Sequence, residues 1–129
     1  MATGLPGHAV AMARNNIWAN HRLLTACKAL TPEEFAAKRT SFFPSLRATL
    51  NHILWVDIYY IDALHRDPTV LQRHDDPVPD FPDAATLYDA QIASDRRLLA
   101  FCERQTEGSL AEGLSLPRPN RTPPPSSVI

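Results

Sequence analysis

The sequence predicts an all-α fold, an up-down bundle of three long helices over residues 1–112, followed by a proline-rich tail over 113–129 that is expected to be disordered or extended. Three observations carry that expectation. Apolar residues recur at three- and four-residue steps in three long segments, the spacing of one helix face. No segment alternates with the period of a strand, and no internal repeat is found. Prolines gather between the last two of those segments and beyond the third, where they end helices.

The first helix is expected over residues 8–30, "HAVAMARNNIWANHRLLTACKAL", with Val10, Ala13, Ile17, Leu24 and Cys27 on one face. Next, "TPEEF" supplies a cap at Thr31, a proline suited to a first helical position at Pro32, and Glu34 to complete a capping box. That short element is expected to end near Lys38. The chain restarts as helix after Phe43-Pro44 and runs to about His65, because proline disfavours helix in the residue before it. Pro68, Pro77, Pro79 and Pro82, with the acidic "HDDP", predict a solvated loop between Arg66 and Pro82. Asp83 is a plausible N-cap for the third helix, whose apolar side is Ala84, Leu87, Tyr88, Ile92, Leu98, Leu99 and Cys102 and whose end is expected near Gly108. Past Phe101 no aromatic residue occurs, and prolines crowd "LPRPNRTPPP", so no further helix is expected there.

Composition narrows the function classes. With 129 residues and 44% hydrophobic content the chain is one globular domain. A net charge of −1 with both signs interspersed offers no basic stripe, so nucleic acid is not an expected partner. No run is long and apolar enough for a membrane span, and the N-terminus lacks the charged-then-apolar order of a signal peptide, so a cytoplasmic location is expected. Cys27 and Cys102 lie far apart in helical segments and read as reduced core thiols.

One residue stands out. In "TLNHILWVDIYY", residues 49–60, His52 sits within an oily, aromatic run. A 100° step per residue places Ser45, Ala48, Thr49, Trp55, Val56, Tyr59 and Ala63 on its side, with Arg47 and Asp57 pointing away, so His52 is expected to face inward. Spacing alone leaves two readings open. In one, His52 is a buried histidine satisfied by a backbone carbonyl or by the Thr49 hydroxyl. In the other it is a metal ligand, which needs two or three more convergent ligands, and the chain contains no HxxxH or HExxH pair.

Three stretches, "NNIWANHRLLTAC", "LTPEEFAAKRTSFFPSLRATLNHILWVDIYYIDAL" and "DRRLLAF", resemble the DinB-like family of damage-inducible helical proteins, also described as a DinB/YfiT-type four-helix bundle. The resemblance spans about residues 8–112. It implies a divalent metal, zinc, nickel or manganese, held by three histidines, of which the one in the "TLNHIL"-type motif matches His52. The other two stand in the family as an HxxxH pair on a fourth long helix, for which this sequence has no counterpart. The fold implied is therefore the family's bundle with its fourth long helix missing, and the metal site is incomplete in this chain.

The tail reads as the product of a shifted frame or premature end. If "PSSVI" were encoded CCG TCC TCG GTC ATC, followed by TGA, the same bases offset by two would read Val-Leu-Gly-His-Leu, similar to the approach to the family's histidines. The missing helix would forgo burial of five or six large apolar side chains, each worth about 1.5–3 kcal/mol, roughly 10 kcal/mol in all. A whole domain is stable by only about 5–15 kcal/mol. A loosely folded or aggregation-prone monomer, or one rescued as a homodimer, is the expected result.

For function, the resemblance implies a relative of metal-dependent thiol transferases and thiol-dependent isomerases, in which open metal positions would activate a small thiol or water. This chain alone is expected to be inactive. Asn16, Asn20, Gln91 and Asp95 are candidates to orient such a site, and Trp55 and Tyr59 to wall it; as plain helix positions they are edge polar residues and core aromatics. The alternative is a non-catalytic helical interaction protein, or an inactive truncated remnant.

Overall fold

A computed structural model describes residues 4–40, 43–67, 69, 80–111, 113–115 and 125–127. Three long helices dominate: α1 (Gly4–Cys27), α3 (Leu46–Leu64) and α4 (Ala84–Glu103). Two single turns, α2 (Pro32–Phe35) and α5 (Glu107–Leu110), follow α1 and α4 respectively. The fold is all-α, as the apolar spacing predicts. Most of the proline-rich 66–82 segment and of the tail lies outside the described residues.

Caps set the boundaries. Thr31 accepts from Glu34 N while the Glu34 carboxylate accepts from Thr31 N, the reciprocal box expected of "TPEE". The turn is shorter than predicted, ending at Phe35, whose 1% exposed ring plugs the core. Ser45 caps α3 by accepting from Ala48 N, and Asp83 caps α4 by accepting from Thr86 N. At the end of α3, Arg66 takes φ 57°, its N–H donates to Ala63 O and Asp67 N donates to Asp62 O. That is a Schellman stop built on a residue other than glycine. The third long helix does not reach Gly108: it stops at Glu103, and Thr106 starts a separately capped turn.

α4 is the common neighbour of α1 and α3 and packs most extensively on α1. Leu24 and Cys27 of α1, Phe35 of α2, Leu50 and Leu54 of α3, and Ala84 and Leu87 of α4 form one buried cluster. Both cysteines are free and buried.

The tail adds one feature, and one expectation needs correction. The tail contains a small antiparallel ladder, β1 (Gly113–Ser115) against β2 (Pro125–Ser127), with Leu114 opposite Ser126. Proline forbids a helix interior but is tolerated at the end of an edge strand, where Pro125 stands opposite Ser115. The correction concerns the orientation of α3. Its buried stripe is Leu50, Asn51, Leu54, Ile61 and Asp62, whereas His52 is exposed. The helix is apolar on both sides, with Ile53, Val56 and Tyr60 also exposed, so hydrophobicity alone could not choose the inward face.

Candidate functional site

The buried polar centre of the molecule is built from pairs at i, i+4 on facing helices. Asn16 and Asn20 project from α1, Gln91 and Asp95 from α4, and Asp57 joins them from α3. Asn20 Nδ2 donates to Asp95 Oδ2 at 2.8 Å, and Asn16 Nδ2 donates to Asp95 Oδ1 at 3.1 Å. The Gln91 amide has two hydrogens and uses both: Nε2 donates to Asp95 Oδ1 at 2.9 Å and to Asp57 Oδ2 at 3.0 Å. One neutral amide thus bridges two carboxyl groups.

Burial pushes the Asp95 carboxyl above its ordinary range, against the lowering effect of its amide donors. Burial likewise raises Asp57, and the nearby Asp95 charge adds to that effect. The pair therefore holds protons more tightly than free carboxyl groups do. Its chemistry is that of a proton-retaining, amide-bridged acid pair that fixes the three long helices in register.

The four orienting candidates Asn16, Asn20, Gln91 and Asp95 are brought together, as three-element packing requires. Asp57, expected to point away, is the member that sequence reasoning missed. Its signal was present in the spacing: Asp57 follows Leu50 by seven residues and Leu54 by three, on the stripe that faces α4. Trp55 stacks on Phe81 with ring centroids 6.3 Å apart, and Tyr59 meets Tyr60 edge-on.

Two further buried polar residues went unnoticed in the sequence. Asn51, 0% exposed, accepts from Phe81 N at 2.8 Å and donates to Phe81 O at 3.1 Å, pinning the segment that enters α4. Asp62, 3% exposed at its side chain, accepts from Arg97 Nη2 at 2.7 Å.

Among the described residues the histidines do not converge. The His52 ring rests against Phe43 with centroids 4.6 Å apart, and its nitrogens make no hydrogen bond among the described residues. Thr49, a partner considered for it, instead donates to Ser45 O. His21 Nδ1 lies 2.7 Å from the Tyr88 hydroxyl, and His65 Nδ1 lies 2.8 Å from Ile61 O. His8 sits near the start of α1, and His74 lies outside the described residues. Among the described residues no three His, Cys, Asp or Glu side chains are grouped to hold a metal ion. A three-imidazole centre does not fit these residues by themselves. The thiols offer no substitute, since burial raises both Cys27 and Cys102, with Glu103 adding to the effect at Cys102.

No helix among the described residues is long and apolar enough to cross a membrane. No curated protein and no solved structure matches the chain. The sequence model of the DinB family matches residues 2–124, and the chain belongs to the DinB family.

Proposed function

We propose that this DinB-family chain works as a helical interaction protein whose docking face is the uncovered side of α3, and that its partner is a second copy of itself. One observation carries the reading. His52, Val56 and Tyr60 follow one another at i+4 steps, with Ile53 beside them, and form an exposed stripe on the face opposite Leu54. Such a row is self-complementary: about a two-fold axis it meets its own copy, aromatic and aliphatic groups alternating.

The stripe is small. Ile53, Val56 and Tyr60 are 40%, 37% and 46% exposed, so each has only part of its burial energy left to gain. Self-association resting on them falls in the micromolar range or weaker. Sedimentation velocity over a range of protein concentrations tests this, with Val56→Asp expected to give a monomer throughout. A monodisperse monomer at every concentration, with a sharp unfolding transition independent of concentration, would overturn the proposal.

A second reading keeps a specific observation in its favour. The family is generally associated with a metal, and both His52 nitrogens are free to coordinate. In that reading His52 is one ligand of a divalent-metal site, zinc, nickel or manganese, related to thiol-dependent transferases, and its remaining ligands come from outside the described residues. Metal analysis separates the readings. Stoichiometric metal that disappears in His52→Ala supports a metal protein, and metal at background level supports the interaction protein.

A further inference from the structure

At the end of the bundle away from His52, four elements leave a hollow of about 430 Å³ between them. α1 lines it with Ala9 and Ala13, α4 with Phe101 and Cys102, α3 with Leu64 and α5 with Leu110. The space exists because α1 presents two alanines at i, i+4 where it faces larger side chains of α4. Its deep walls are well covered: Ala13, Leu110 and Cys102 are 2%, 5% and 9% exposed.

An apolar cavity of roughly 150 Å³ stays dry and accepts benzene, and this one is nearly three times larger. It lies within the roughly 300–1,000 Å³ of small-molecule sites, which combine apolar walls with a few placed polar groups. Two polar groups are present here. His8, at the rim, makes no hydrogen bond among the described residues. Asn16, where the hollow meets the polar centre, donates to Asp95, while its Oδ1 accepts only a long 3.5 Å bond from Asn20. That oxygen has acceptor capacity left.

We propose that this hollow is a binding site for a small, neutral aromatic molecule of two or three rings carrying one hydrogen-bond donor, the rings seated between Ala9 and Phe101 and the donor directed at Asn16 Oδ1. Among the described lining residues there is no lysine or arginine, which argues against a carboxylate or phosphate ligand. The proposal is independent of the α3 docking face, since none of His52, Ile53, Val56 and Tyr60 is among the residues lining the hollow.

N-phenyl-1-naphthylamine, two aromatic units joined by one N–H, is a suitable probe. Its fluorescence is expected to rise and shift to the blue on titration with the full chain, saturating at one probe per chain. Ala9→Phe, which fills the hollow from a half-buried position, should weaken binding at least tenfold at unchanged helix content. Ile53→Asp on the α3 stripe should leave binding as it was. If Ala9→Phe keeps its helix content and binds the probe as before, or if Ile53→Asp abolishes the signal, the proposal fails. Should Ala9→Phe lose its helical signal, protection decides: saturating probe must slow alkylation of Cys102 by N-ethylmaleimide in the unsubstituted chain, and an unchanged rate overturns the site.

Discussion

Asn20 reaches across from α1 to place its amide nitrogen 2.8 Å from Oδ2 of Asp95, a carboxyl group only 1% exposed. Three amides from two helices thereby converge on one acid. The arrangement makes acidity, and not only packing, part of how the helices are held.

The pH dependence of stability follows from the sign of those shifts. Burial raises Asp95 and Asp57 above the ordinary value of 3.8, so the folded state binds their protons more tightly than the unfolded state. That contribution is fully present below about pH 3.8 and is lost as pH rises through the raised values. The exposed caps act oppositely. Glu34 and Asp83 are lowered from 4.5 and 3.8 by the backbone N–H groups they accept from, and their contribution is lost as pH falls through the lowered values. Urea denaturation between pH 4 and 7 should show Asp95→Asn losing stability less steeply than the parent as pH rises. Equal slopes would sink the account.

Asp95→Ala is expected to behave differently from Asp95→Asn. It strands donors on Asn16, Asn20 and Gln91, and each buried unsatisfied group costs about 1–3 kcal/mol. A loss of roughly 3 kcal/mol in denaturation free energy is expected, and a loss below about 1 kcal/mol would show that the network is slack.

Asn51→Ala should cost about 2–3 kcal/mol, because it removes the partners of both the N–H and the carbonyl of Phe81. Amide hydrogen exchange offers the sharper check: protection at Phe81 should fall by more than the global loss of stability accounts for.

His52→Ala is expected to change stability by no more than about 0.5 kcal/mol, since an exposed residue away from caps and core rarely does more. A thermal shift of many degrees would mean that the imidazole is structural after all.

Arg66→Gly should stabilise the chain by about 0.5 kcal/mol by relieving the left-handed conformation at φ 57°. A fall in the melting temperature would indicate that the arginine side chain contributes more than its backbone costs.

Local chemistry was the legible part of this fold. Thr31, Pro32 and Glu34 announce a capped turn because each acts on neighbours in the chain, and Asp83 announces α4 for the same reason. The pairing of Asn16 and Asn20 with Gln91 and Asp95 was partly legible as two i, i+4 polar pairs. What the sequence could not convey was rotation. α3 is oily all round, and only packing against α4 decides that Asp57 turns in while His52 turns out. Asn51 was invisible for a related reason, since its partner is the backbone of Phe81, thirty residues away.

The hydrogen bond from Leu5 N to Glu107 Oε1, at 3.2 Å, joins residues 102 positions apart. The two ends of the helical unit therefore emerge along one edge, and a short linker could close them into a circularly permuted chain reopened in the segment between α3 and α4. An affinity tag or fusion attached at either of those ends would hang over the same edge, so display formats for this protein are better built from the permuted connection.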